Sequence, residues 1–317
     1  MFFLIIESAE VFQVPLPPNC TSGVVLDVLD NVILLSGMSS IQPDGLYVGR
    51  VDFKAADGPL NWTQLTSITL ATSLKTDLET FQCPDETEYE SLLVYRNTEV
   101  LQEKMPLIVY PHGGPHGVSA DQFRREVFFF NQLGFAVLFV NYRGSTGFGD
   151  KSLNTLLGKV GTQDVQEVHQ AAVKALEKHS FLDPNLVFLC GGSHGGFLVT
   201  HLCGQYPDFY KAVSARNPVI DMATMFPTMF PITDIADWTI VESQVGQGGE
   251  LEKLLNPGTL SRMWEMSPIR YVEQVRAPVL LLVGKVDLRV PPTQAHEYYR
   301  ALKVHGKKVK QVQLLSL

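Results

Sequence analysis

Leu186–Phe197 reads Leu-Val-Phe-Leu-Cys-Gly-Gly-Ser-His-Gly-Gly-Phe, and its reading decides the fold. Five apolar residues run straight into a glycine turn that carries Ser193. Phe197–Tyr206 (FLVTHLCGQY) then has the makings of a helix that stops before Pro207. The turn fits the pattern G-x-S-x-G, and a strand, a sharp turn and a helix are the context that pattern requires. A serine at such a turn is pushed above the sheet, and side chains two residues away would meet the neighbouring strand and helix. Glycine is therefore favoured at Gly191 and Gly195. The free N–H groups and positive dipole end of the following helix point at the same place.

Working outward, three more short apolar runs end in glycine or polar residues. Pro106–Tyr110 leads into Pro-His-Gly-Gly-Pro, Phe135–Val140 into Asn-Tyr-Arg-Gly, and Val279–Val283 into Gly284. Such runs suit strands buried on both faces of a parallel sheet. Between them Val165, Val168, Ala172 and Leu176 recur at helical spacing over Asp164–Leu176. Alternating strands and helices imply a doubly wound, mostly parallel α/β sheet of the α/β-hydrolase type, with its chemistry at the carboxyl ends of the strands.

Residues 1–85 differ. Gly23–Leu29, Val32–Leu35 and Leu46–Val51 are short apolar runs separated by turn residues, including Pro43-Asp44-Gly45 and Asp57-Gly58-Pro59. They read as a β region in front of a hydrolase-type domain over 86–317. Asp221–Glu265, with two Met-Phe-Pro copies and the aromatic, acidic Asp234–Trp238, fits the alternation poorly and reads as an excursion.

Composition narrows the classes. The 317 residues are 45% hydrophobic and 18% charged, which suits a globular chain, and the net charge of −8 argues against a nucleic-acid or anionic-membrane surface. Cys20, Cys83, Cys190 and Cys203 form no CxxC pair, so neither a zinc site nor a disulfide framework is expected. A reducing compartment follows, with Cys190 and Cys203 buried as thiols. Glu7 ends the apolar opening after six residues, too short for a signal peptide or a membrane helix. No metal or cofactor is called for.

For nucleophilic catalysis Ser193 needs three supports. A tetrahedral intermediate needs two N–H donors, of which His194, directly after the nucleophile, supplies one, with His112-Gly113-Gly114-Pro115 placed to supply the other. An acid is expected after the strand at Val279–Val283, and Asp287 stands there. A histidine should come next, in the order serine, acid, histidine. Only His296 and His305 follow Asp287. The first falls within an expected helix, Pro292–Leu302, and the second precedes an expected strand, Val309–Leu315. No triad histidine is assigned. The imidazoles of His112, His116 and His194 are read as loop packing rather than bases.

Residues 104–312 resemble the acylaminoacyl-peptidase branch of the prolyl oligopeptidase family. The resemblance is carried by HGGPHG (His112–Gly117), GFAVLFVNYRGSTGFG (Gly134–Gly149), GGSHGGF (Gly191–Phe197), ARNPVI (Ala215–Ile220), DIADW (Asp234–Trp238), SPIRY (Ser267–Tyr271) and VDLRVP (Val286–Pro291). It implies a cytoplasmic serine exopeptidase, possible as a homo-oligomer, that releases an N-acylated amino acid from short blocked peptides. It makes Ser193 the nucleophile, Asp287 the acid, and Gly114 the second oxyanion donor beside His194. Family members carry an N-terminal β-propeller, so residues 1–85 would be its final part. Both ends are expected to be truncated relative to the family, with activity impaired. A general serine esterase shares the same elbow, and a non-catalytic binding or oligomerisation module is the alternative that the missing histidine favours.

Overall fold

A computed structural model describes residues 2–5, 10–13, 15–50, 61–66, 68, 74–97, 103–229 and 256–315. The chain divides into two compact units that interleave along the sequence. One comprises Met1–Asp77, Val94–Val100 and Ala120–Gly134, the other Leu78–Leu93, Leu101–Ser119 and Phe135–Leu317.

In the first unit β1 (Phe2–Ile5) and β2 (Glu10–Gln13) form an antiparallel pair. A four-stranded antiparallel sheet follows, ordered β3 (Ser22–Leu29), β4 (Val32–Ser39), β5 (Gln42–Arg50) and β6 (Trp62–Gln64). Ile33, Leu35 and Tyr47 bury its core. Pro43-Asp44-Gly45, expected as a turn, lies inside β5, and the chain reverses at Ser40-Ile41 instead. The β4–β5 register shifts between Gly37 and Ser39, next to the place where Pro43 has no N–H to give the ladder. Helix α1 (Arg125–Gln132) belongs to this unit, and the Asp121 carboxylate ahead of it accepts the Ser40 N–H at 2.8 Å. The expected Asp57-Gly58-Pro59 turn lies outside the described residues.

The large sheet has eight strands. β7 (Leu74–Gln82) and β8 (Glu88–Arg96) are joined by a turn in which the Cys83 N–H donates to Thr87 C=O. Then come β9 (Met105–Val109), β10 (Ala136–Asn141), β11 (Leu182–Gly192), β12 (Val213–Arg216), β13 (Val279–Gly284) and β14 (Val309–Leu314). Their spatial order is β14-β13-β12-β11-β9-β10-β8-β7, with β9 to β14 paired in parallel. The interior strands are the apolar runs of the sequence. All six residues of β10 are buried, whereas β14, at the edge, turns Lys310 and Gln313 outward.

Helices fill the crossovers: α2 (Gly149–Asn154), α3 (Gln163–Lys178), α4 (His194–Gln205), α5 (Met222–Met229), α6 (Pro257–Glu265) and α7 (Pro292–Val304). On α3 Val165, Val168, Ala171 and Ala172 are fully buried, one apolar stripe laid toward the core. Every residue of α4 from His194 to Gly204 is buried, as an all-round apolar helix should be. The excursion Asp221–Glu265 begins with α5 and ends with α6, and Asp234–Trp238 lies outside the described residues. No helix among the described residues is long and apolar enough to cross a membrane.

Candidate active site

Strand β11 occupies the middle of the sheet, between β9 and β12, and delivers Ser193 to its carboxyl edge. Ser193 sits at φ 58°, ψ −123°, a conformation sterically costly for an L-residue with a side chain. Two backbone bonds hold it there. The Ser193 N–H donates to Arg216 C=O at 2.9 Å, and the Phe197 N–H donates to Ser193 C=O at 3.0 Å, opening α4. The flanking glycines are sterically required. A Cβ on Gly191 would lie 2.3 Å from Gly195 O, and one on Gly195 would lie 2.4 Å from Pro111 O.

The HGGP loop meets the elbow from β9. A Cβ on Gly113 would stand 3.5 Å from Ser193 Cβ, so this backbone runs directly beside Ser193. Gly114 has φ +145°, a backbone conformation open to glycine. The loop is braced by the residues after β10. His112 stacks on Tyr142 at 4.6 Å, and its Nε2 lies 2.7 Å from Ser145 Oγ. Tyr142 Oη donates to Pro115 C=O at 3.0 Å, and His116 Nδ1 lies 2.7 Å from Gly144 C=O. These imidazoles shape the loop.

His194 carries a support that the sequence did not announce. Its Nε2 lies 3.1 Å from Asp164 Oδ2, and neither side chain is exposed at all. The other oxygen of Asp164 accepts the N–H groups of Gly161 and Val165 at 2.8 and 2.9 Å. The ring of His194 also packs on Phe197 at 5.0 Å. A carboxylate with both oxygens engaged therefore pins the first residue of α4.

Asp287 stands on the same carboxyl edge as Ser193, with β12 between their strands. Its Oδ1 accepts the N–H groups of Arg289 and Val290, both at 2.8 Å. Its Oδ2 is bonded by the side-chain amide of Asn217. Asn217 has φ 40°, and its side-chain Oδ1 accepts the Gly284 N–H at 2.7 Å. Asparagine tolerates this left-handed turn, so the Asn-Pro pair after β12 was the available signal for the role.

His296 and His305 sit elsewhere. His296, on α7, has Nδ1 2.8 Å from Gln311 Nε2 of β14, whose register partner is Leu281 in the middle of β13. His305 follows α7 at the amino edge of β13 and β14, with Nδ1 3.8 Å from Glu273 Oε1. Among the described residues no group of His, Cys, Asp and Glu is arranged to hold a metal ion.

A cavity of about 350 Å³ opens elsewhere, lined among others by Phe81, Cys83, Tyr89, Arg143, Glu167 and Gln170. Its polar groups face one another: Arg143 Nε donates to Glu167 Oε1 at 2.5 Å, and Tyr89 Oη donates to Gln170 Oε1 at 3.3 Å. Burial outweighs the attraction of Arg143 and pushes the Glu167 carboxyl up to about 7. No disulfide joins the four cysteines, all of which lie among the described residues. Cys203 is buried and its thiol is pushed up to about 12, but Cys190 is only half-buried, because its side of β11 is less completely covered than the apolar run suggested.

The profile of the prolyl oligopeptidase family matches residues 121–315. The acylamino-acid-releasing enzyme of Homo sapiens is 39% identical over 272 residues, covering 83% of this chain and 36% of that one. The Pyrococcus horikoshii acylaminoacyl peptidase structure superposes with a TM-score of 0.77 at 23% identity, covering 97% of this chain and 47% of that one. A puromycin-hydrolyzing peptidase of Mycobacterium tuberculosis gives 0.80 at 22% identity, covering 99% and 46%. These structures share the fold, and the chain spans about a third of the length of the human relative. With an elbow serine, a braced glycine loop and a profile that matches well over half its length, the chain belongs to the prolyl oligopeptidase family of serine peptidases.

Proposed function

We propose that this chain carries the chemical machinery of a serine exopeptidase that releases an N-acylated amino acid from a blocked peptide. The observation that carries the reading is the strained, glycine-walled Ser193 on the same sheet edge as Asp287. Ser193 Oγ attacks the carbonyl carbon of the acylated residue while its proton passes to a base. The negative oxygen of the tetrahedral intermediate is met by the backbone N–H groups of His194 and Gly114. The C–N bond breaks, the leaving amine takes the proton, and water then hydrolyses the acyl-enzyme. Asp287 orients the base and stabilises its charged form. Residues 1–85 serve as a propeller-like β region in front of the hydrolase domain of 86–317. The names of the relatives support N-acylated peptides as substrates; short peptides, a cytoplasmic setting and a homo-oligomer are proposed from the family resemblance of the sequence motifs alone.

The base is the open position. His296 and His305 are engaged with Gln311 and Glu273, mid-sheet and at the opposite edge from Ser193. We therefore propose that the 317-residue chain by itself turns over acyl peptides slowly. This placement also favours a second reading, in which the chain binds acyl peptides or assembles with other chains without hydrolysing them. Purified chain should cleave an acetyl-alanyl anilide at least ~10²-fold more slowly than a complete relative. A short-chain ester cleaved rapidly, with no action on the anilide, would overturn the exopeptidase reading in favour of an esterase.

A further inference from the structure

Arg216 ends β12, where it is the register partner of Gly192, the residue before the nucleophile. Its backbone carbonyl holds the Ser193 N–H, and its side chain returns over the elbow. A Cβ placed on Gly192 would lie 3.0 Å from Arg216 Nε and 3.1 Å from Nη2, so the guanidinium rests on the glycine face beside Ser193. The residue is exposed, and among the described residues no carboxylate pairs with it. The next residue, Asn217, holds Asp287. Arg216 therefore stands between the nucleophile and its acid without being committed to either.

The rim around it is cationic in a chain of net charge −8. Lys285 and Arg289, on the turn after β13, are exposed as well. Asp287 lies on the same turn, with its oxygens turned to the Asn217 amide and to the Arg289 and Val290 N–H groups. A planar guanidinium offers paired donors that match a carboxylate.

We propose that Arg216 is a specificity determinant of this site, binding a carboxylate carried by the peptide substrate. The carboxylate is a free C-terminus of a short peptide or an acidic side chain beside the scissile bond. This rests on the reading of Ser193 as the reacting serine. A Cβ at position 192 would press the guanidinium aside by a few tenths of an ångström.

Equilibrium binding to the full 317-residue chain tests it without requiring turnover. The probes are acetyl-Ala-Ala-Ala with a free C-terminus, the same peptide amidated, and amidated acetyl-Ala-Glu-Ala. At low salt one or both carboxylate probes should bind roughly three- to fivefold more tightly than the neutral amide, the upper range of an exposed ion pair. The preference should shrink in high salt. In Arg216→Gln it should fall within twofold of unity while the neutral peptide binds as before, and Arg216→Lys should recover part of it. Which probe gains identifies the source of the carboxylate. Equal binding of all three peptides, or a preference that survives Arg216→Gln, overturns the assignment and leaves the Ser193 reading standing. If the neutral acyl peptide binds no better than its unacylated counterpart, the acyl-peptide reading itself fails, and this assignment fails with it.

Discussion

Replacing Gly195 by alanine probes the elbow where its geometry is tightest. The added Cβ would lie 2.4 Å from Pro111 O, 3.1 Å from His112 O and 3.2 Å from His112 C. All three atoms are backbone, so no side chain can rotate away. Ordinary carbon–oxygen contacts lie near 3.3 Å or beyond, so α4 or the end of β9 must give by about 1 Å. Overpacking of this kind costs ~1–3 kcal/mol. In a domain of this size each kcal/mol lowers Tm by roughly 2–4 °C, so Gly195→Ala should lose about 2–12 °C. Gly306→Ala is the control. Gly306 has φ +67° with nothing within 4 Å of its Cβ position, so it reports backbone strain alone, ~1 kcal/mol. Thermal unfolding followed by circular dichroism compares the two. Equal Tm values for Gly195→Ala and Gly306→Ala would refute the steric account of the elbow.

Three further outcomes follow from the buried charges. Asp164→Leu strips the acceptor from Gly161, Val165 and His194 and should cost ~3–5 kcal/mol in urea unfolding, with Asp164→Asn losing less. His201 is buried and held neutral, its pKa pushed down to about 3, and His169, stacked on Tyr206 at 3.6 Å, is pushed down to about 4. The unfolded chain protonates first, near pH 6.5, so their contribution is complete above that pH. It is lost as pH falls toward 4 and 3, up to about 5 kcal/mol for His201, and His169→Phe should flatten the acid limb of the urea midpoint. Glu167 acts with the opposite sign. Its carboxyl is pushed up to about 7, so the contribution is complete below about 4.5 and lost as pH rises to 7. Glu167→Gln should remove that decline, and an unchanged profile between pH 4.5 and 7 would count against it.

The sequence was most legible where one physical cause acts alone. The interior strands announce themselves because burial on both faces demands unbroken apolar runs, and Ala136–Asn141 is buried throughout. The elbow is legible because steric exclusion leaves only glycine at 191 and 195. Strand β7, LKTDLETFQ, is mostly polar, and only its place in the sheet makes it a strand. Hydrophobicity misled in β3, where Val24, Leu26 and Leu29 are 56%, 52% and 73% exposed. The supports of the site were hidden for another reason. Asp164 looks like any acid in the first turn of a helix, and its link to His194 spans thirty residues of sequence. Asn217 likewise reaches Asp287 across seventy residues. Pairings of that kind exist only once the parallel strands set their register.

The most direct test of the central claim is the rate and position of fluorophosphonate labelling in the purified chain, read by peptide mass spectrometry. Such reagents report an activated serine, and a serine hydroxyl without a base is a poor nucleophile at neutral pH. The account predicts a slow adduct confined to Ser193, absent in Ser193→Ala and accelerated by added imidazole, which can take the serine's proton. Rapid labelling of Ser193 that ignores imidazole and disappears in His296→Ala or His305→Ala would contradict it, as would an adduct on any other serine.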